Sequence, residues 1–301
     1  MNRSPNTISA ELKRNRVHRQ YVPKKAHHKA YVRRHNAKYQ GKKIVHNAHL
    51  KKEVDARLMD DQSPQAIARR ITNREKHLPS ISKNAIYRYI ASVYGRRIET
   101  HRYLKKRKRR RKRPKTGNIP GRTFVDKRPL YINARRRAGD AEFDFIVSGK
   151  SGRGILLVVV DRKLRCSFLE KILPVSIRNM EQGAAQIRQR YPEWRTATTD
   201  NDVLLQHHKR LEEKIGIRIF FCHPYHSWEK GTVENMNGVI RRDIPKGSDI
   251  SRYSKRFIMK LEMKMNRRPM ECLNDRTPQE VLDIHRKRVW RNKKHRSQEV
   301  S

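Results

Sequence analysis

The chain has 301 residues, and its Lys and Arg outnumber its Asp and Glu by 74 to 29, a formal net charge of +45. A chain so basic repels itself and needs a polyanion, so nucleic acid is the expected partner. Three cysteines with no CxxC pair exclude a disulfide framework and fit a reducing cytosol, and no apolar run or leader peptide points to a membrane.

The charge is uneven. Residues 1–115 carry 35 basic and 7 acidic side chains, so the N-terminal third is the expected electrostatic binding region. Ser4-Pro5 starts a helix, with Ser4 as N-cap and Ile8 and Leu12 on one face. It reads as the recognition helix of a first helix-turn-helix whose earlier helices are missing, or as an amphipathic arm. Residues 13–50 read as a basic linker. Residues 51–104 form a fuller unit. Val54, Leu58 and Met59 mark one helix, and Ser63-Pro64 caps a second with Ile67 and Ile71 inward. Ser82 caps a third, Asn84 to Tyr94, with Ile86, Tyr89, Ile90 and Val93 apolar. Three short helices with a polar face on the last predict a helix-turn-helix. Lys83, Asn84, Tyr87 and Arg88 are its candidates for the major groove. The alternative is a purely structural three-helix module.

Lys105, Lys106, Arg107, Lys108, Arg109, Arg110 and Arg111 continue through Arg113, a run of nine basic residues that ends at Pro114. Such a run cannot fold alone and is expected to track DNA phosphates within a linker spanning 105–135.

From Gly139 the texture changes. Ala141–Val147, Ile155–Val160 and Ser167–Ile172 read as strands, then a helix at Ile177–Arg190, a strand at Thr196–Thr199 and a helix at Val203–Ile215. A strand at Arg218–Cys222 and a long helix after Gly231 follow. Three strands in series, then alternating helix and strand, predict an α/β mixed sheet covered by helices, the element order of a ribonuclease H-like core over 136–285. A basic tail, 286–301, completes the chain. Ile155–Val160 is nearly all apolar and is expected to be a central strand.

Carboxylates mark the chemistry. On the first strand Glu142, Asp144 and Ile146 share one face while Phe143 and Phe145 face the core. Asp144 is the candidate metal ligand and Glu142 its supporting neighbour. Asp200 closes its strand, where open sheets place ligands. With 33 residues between it and Asp200, Glu234 sits in the first turn of a helix, with Asn237, Gly238, Arg241 and Arg242 at spacings that share its face. Arg241 is positioned to touch the DNA backbone. Asn201 and Asp202 read as caps, and Glu229 as a loop rival to Glu234. Carboxylates in this strand-strand-helix order can hold two divalent cations about 4 Å apart for phosphodiester chemistry. Cys222, His223 and His226 offer an incomplete local set for zinc, so no zinc site is expected.

The run from His223 through Trp228-Glu229-Lys230-Gly231-Thr232-Val233-Glu234-Asn235-Met236-Asn237-Gly238, with Arg241 and Pro245-Lys246-Gly247, resembles the third-carboxylate region of the IS-thirty family of bacterial insertion-sequence transposases. Thr198-Thr199-Asp200-Asn201 resembles that family's second-aspartate motif, and Gly139-x-x-Glu142-x-Asp144-x-Ile146 its first. Asn266-Arg267-Arg268-Pro269 with Thr277-Pro278 resembles its C-terminal signature, and the helices around Ser63 and Ala85 its second helix-turn-helix. Ala141 stands where the family usually has Trp, and Asp202 where Gly is common. The resemblance implies an integrase-like, ribonuclease H-like core with an Asp-Asp-Glu triad of Asp144, Asp200 and Glu234. It also implies Mg²⁺ as the metal (two ions, with Mn²⁺ a plausible substitute) and recognition of terminal inverted repeats. Double-stranded DNA, both element ends and target, is then the expected partner, with Arg241, Arg242, Asn237 and Lys246 on it. A homo-oligomer on DNA in a bacterial or archaeal cytoplasm, associated with the nucleoid, would cleave and join strands. A silent inverted-repeat binding protein, or a structure-specific nuclease on the same core, is the alternative.

Overall fold

A computed structural model describes residues 3–17, 19–37, 42–104, 119–223 and 226–298. The basic run from Lys105 to Arg113 lies outside them. The chain forms two compact units, Met1–Lys106 and Arg107–Ser301. Among the described residues no helix is long and apolar enough to cross a membrane.

The first unit is all helix: α1 (Pro5–Asn15), α2 (Pro23–Ala37), α3 (Lys42–Val45), α4 (Ala48–Met59), α5 (Pro64–Arg74), α6 (Lys83–Ile90) and α7 (Arg96–Leu104). Ser4, Ser63 and Ser82 each cap the helix that follows by accepting a backbone N–H three residues on. Leu50, Val54, Leu58, Ile67, Ile71, Ile86 and Tyr89 meet in one core, which reaches back to Ile44 and forward to Ile98. The segment expected as linker therefore contributes to it. Two expectations fail. The third helix stops at Ile90, and Val93, expected inward, is 76% exposed. Ile8 and Leu12 also remain exposed, because α1 meets α2 through polar contacts: Asn15 is fully buried and accepts from Arg33.

The second unit is built on a five-stranded sheet: β1 (Asp140–Val147), β2 (Ile155–Asp161), β3 (Ser167–Ile172), β4 (Thr196–Thr199) and β5 (Arg218–Phe221). The spatial order is β3-β2-β1-β4-β5. β1, β2 and β3 run antiparallel in series, while β4 pairs parallel with β1, and β5 parallel with β4. This is the ribonuclease H-like topology. Its helices are α8 (Leu130–Asn133), α9 (Ile177–Arg190), α10 (His208–Ile215), α11 (Gly231–Ile240), α12 (Lys255–Asn266) and α13 (Pro278–Gln298).

β2 is an interior strand, as expected, flanked by β3 and β1, and β1 holds the middle of the sheet. β2 is apolar throughout because both its faces are covered. Ile155, Leu157 and Val159 join the core shared with α9, while Leu156, Val158 and Val160 join the core shared with α11 and α12. β1 can hold the centre with a mixed sequence because Glu142, although buried, is paired. It follows Gly139, whose φ of +100° and whose position against Glu193 O, 2.0 Å from where a Cβ would lie, exclude other residues. Ala141 is fully buried in the same core.

Three boundaries differ from expectation. Ile119, Val125 and Ile132, within the anticipated linker, are buried on this unit, and Phe124 bridges to Phe221. The helix after Gly231 ends at Ile240 after ten residues, followed by turns at 241–243. The tail from 286 continues α13, and Arg286 still binds Glu193 at 2.8 Å.

Candidate active site

β1 and β4 are parallel neighbours, so their aspartates meet beyond the paired residues. Asp144 lies on β1 just past the Phe143–Thr199 pair, and Asp200 follows Thr199 directly. Between them sits an ammonium group. Lys230 Nζ is 2.9 Å from Asp144 Oδ1 and 2.6 Å from Asp200 Oδ2. The Lys230 side chain is only 3% exposed, whereas Asp200 is 53% exposed. Burial alone would lower the lysine's pKa, but the charges of Asp144 and then Asp200 outweigh it and hold the pKa above the ordinary value. The two carboxylates thus already share one cation.

Lys230 is the N-cap residue of α11. Seven residues on, Asn237 Nδ2 donates to Asp144 Oδ2 at 2.6 Å. Glu234 lies between them, four residues after Lys230 and three before Asn237, so it shares their side of the helix. It is exposed, while Val233, Met236, Val239 and Ile240 point into the core. The fold thus brings the helix turn that carries Glu234 against the aspartate pair. The sequence signal for Lys230 is its spacing of four from Glu234.

Glu142 fixes this geometry from beneath. It is 1% exposed and accepts from Val233 N at 2.8 Å, in the first turn of α11, and from Arg162 Nε at 3.1 Å. Arg162 also donates to Ile132 O at 2.7 Å. A buried ion pair with further hydrogen bonds is what allows a carboxylate in a strand interior. The role of Arg162 carried no local signal, since it lies 20 residues along the chain from Glu142.

Neighbouring polar residues sort differently from expectation. Asn201 is not a cap: its Nδ2 donates to Cys222 O at 3.0 Å, and Arg122 donates to its Oδ1, which ties the ends of β4 and β5. Asp202 does cap, accepting Leu204 N at 2.9 Å. Burial raises its pKa; the Leu204 hydrogen bond opposes this and the nearby Asp144 charge adds to it. Glu229 accepts from His223 N at 2.9 Å. The amide of Asn237, expected on DNA, is used on Asp144. Arg241 lies at the end of α11, with Nη2 3.3 Å from Val147 O and Nη1 3.5 Å from Pro245 O. Burial lowers its pKa, and Asp144, close enough to act through its charge, raises it. Arg242 and Lys246 are exposed.

In the helical unit Lys83, Asn84, Tyr87 and Arg88 are all exposed on α6, opposite buried Ile86, Tyr89 and Ile90. They form one polar face with the spacing of a groove-reading helix.

No family profile matches the chain. The transposase for insertion sequence element IS4351 of Bacteroides fragilis is 34% identical over 286 residues, 91% of this chain and 85% of that protein. The chain belongs to the IS30 family of insertion-sequence transposases. Other members agree. The transposase InsI of IS30A from Escherichia coli K12 is 28% identical, covering 94% of this chain and 76% of its own length. The transposase of IS1086 from Cupriavidus metallidurans is also 28% identical, over 94% and 86%. Among solved structures, the catalytic core domain of BIV integrase aligns with a TM-score of 0.39 and 16% identity, over 50% of this chain and 98% of that domain.

Proposed function

We propose that the chain is a DNA transposase that uses Asp144, Asp200 and Glu234 as its catalytic, metal-holding residues. The observation that carries this reading is the Lys230 ammonium held jointly by Asp144 and Asp200 at 2.9 and 2.6 Å. Two carboxylates from adjacent strands already converge on one positive charge, and a third stands on the same face of α11. The donor set fits hard cations: oxygen ligands, open to solvent at Asp200, suit Mg²⁺, with Mn²⁺ a substitute. We infer two ions, from the chemistry rather than from a count of ligands.

Bound divalent cations would screen the phosphate charge and polarise the attacking and leaving oxygens. The chain's own residues do the rest. Asn237 fixes one oxygen of Asp144 and leaves the other facing Asp200. Glu142, through the Val233 N–H, sets the first turn of α11 and so presents Glu234. Arg241, Arg242 and Lys246 lie beyond that helix, where cationic groups would hold the DNA backbone. In the helical unit, Lys83, Asn84, Tyr87 and Arg88 would read the terminal inverted repeats, and the basic run from Lys105 to Arg111 would follow phosphates. The first reaction hydrolyses a phosphodiester to free a 3′-hydroxyl; the second uses that hydroxyl to attack a target phosphodiester, forming a new P–O bond as the target's own 3′-oxygen leaves and takes up a proton. We infer a homo-oligomer on DNA, acting at the nucleoid of a bacterial or archaeal cell.

The test uses purified full-length protein, a labelled element end and a pre-cleaved end. Asp144→Asn, Asp200→Asn and Glu234→Gln should each lose cleavage and joining while gel-shift binding persists. Joining retained by Asp200→Asn would refute the assignment. Cleavage without any joined product from the pre-cleaved end would favour a nuclease.

A further inference from the structure

His223, His226 and Glu229 form a second group of side chains with metal-ligating atoms. They recur every three residues. His226 N–H donates to His223 O, and Glu229 N–H to His226 O, both at 3.1 Å. Successive three-residue turns bring side chains three apart onto one side of the chain. One ligand atom from each of the three lies within 4.8 Å of the other two. Glu229 Oε1 is 3.1 Å from His223 Nδ1. Two ligands about 2.0–2.1 Å from a tetrahedral ion stand about 3.4 Å apart, so this pair is already at ligand spacing.

His223 is also held from outside. Its Nε2 is 2.8 Å from Asp126 Oδ2, and its ring stacks on Phe124 with centroids 5.0 Å apart at 11°. A carboxylate on the far nitrogen of a histidine fixes the tautomer and leaves the near nitrogen to bind metal. We propose that His223 Nδ1, a ring nitrogen of His226 and the Glu229 carboxylate bind one late first-row divalent cation, Zn²⁺ foremost, with Asp126 orienting His223.

Nitrogen ligands separate this site from the three carboxylates, whose oxygens suit harder ions. Three protein ligands leave a fourth position for water. Cys222, which the sequence placed beside these histidines, is not a ligand. It is buried with Val125, Ile132 and Phe220, and burial pushes its thiol up to about 12. Lys230 follows Glu229 directly, so an ion here would fix the turn that delivers Lys230 and the start of α11. The proposal stands whether or not the aspartates do phosphodiester chemistry.

The experiment uses the full-length Asp144→Asn/Asp200→Asn/Glu234→Gln variant, so that the carboxylate triad does not compete. It is titrated with Zn²⁺ alone against a chromophoric chelator, and with Co²⁺ alone by visible absorption. The expected result is one Zn²⁺ bound at micromolar or tighter affinity and an intense four-coordinate Co²⁺ spectrum. Adding His223→Ala, His226→Ala or Glu229→Gln should remove the Co²⁺ spectrum and weaken Zn²⁺ at least 100-fold. Adding Asp126→Asn, which leaves all three ligands in place, should weaken Zn²⁺ about 10-fold. Far-UV circular dichroism checks that each variant is folded. Binding unchanged by all four substitutions, or no Zn²⁺ bound by the folded parent below 100 micromolar, would overturn the proposal.

Discussion

Replacing Lys230 with methionine keeps the unbranched side chain, one atom shorter, and removes its charge. In the metal-free protein this leaves Asp144 and Asp200 facing each other without the cation that lies 2.9 and 2.6 Å from them. Breaking a fully buried pair costs about 3–5 kcal/mol. Here Asp144 is 22% and Asp200 53% exposed, so water screens much of the loss, and about 1–3 kcal/mol is expected. Divalent cations should narrow the difference. In Lys230→Met they enter a site with no competing ammonium, whereas in the native chain they must displace it or share the carboxylates with it. An ion at 100 times its dissociation constant stabilises the fold by about 2.7 kcal/mol. Urea unfolding of both proteins, in EDTA and in saturating MgCl₂, reads both terms. The variant should be less stable in EDTA and should gain more from Mg²⁺ than the native chain. Equal stability in EDTA, or a deficit that Mg²⁺ leaves unchanged, would refute the view that Lys230 occupies a cation site.

Other consequences follow from the same contacts. Glu142→Gln leaves the 8%-exposed Arg162 without its carboxylate, and should cost about 2–4 kcal/mol in chemical denaturation while also lowering strand transfer; full stability would show that the pair is not needed to seat α11. In the helical unit, burial opposes ionisation of Glu75, but hydrogen bonds from Arg57 and Arg70 and their charges prevail and hold its pKa below 4.5. A depressed carboxylate stabilises the fold above its unfolded pKa and stops doing so as pH falls through the folded value. The stability gap between the native chain and Glu75→Gln should therefore be widest near neutrality and close in acid; a gap constant from pH 7 to pH 3 would contradict it. DNA binding should weaken steeply with salt. If Lys83 and Arg88 contact phosphates, each alanine substitution should reduce the slope of log K against log salt by about 0.9, whereas unchanged slopes would assign α6 no phosphate contact.

Much of this protein was legible from local pattern. Serine caps, an apolar run in β2, alternation in β1 and the order of strands and helices all report which face of a segment is buried, and burial is a local demand on sequence. The Asp144, Asp200 and Glu234 candidates could be named because Asp144 lies opposite the aromatic face of β1, Asp200 follows β4 and Glu234 stands in the first turn of α11, elements whose period was readable. The tertiary structure decided what lay between them. Lys230 meets Asp144 across 86 positions and Asn237 meets it across 93, and only the packing of α11 on β1 and β2 makes those residues neighbours. It also decided that β1 is the middle strand, because a buried Glu142 is tolerable once Arg162 and the Val233 N–H arrive from elsewhere. The same holds for His223, His226 and Glu229: the spacing of three was visible, but only the observed turns put their ligand atoms together and turned Cys222 inward. Periodicity fixes which side of an element faces the core; the cross-chain partners of a charged group depend on how the elements are ordered in space.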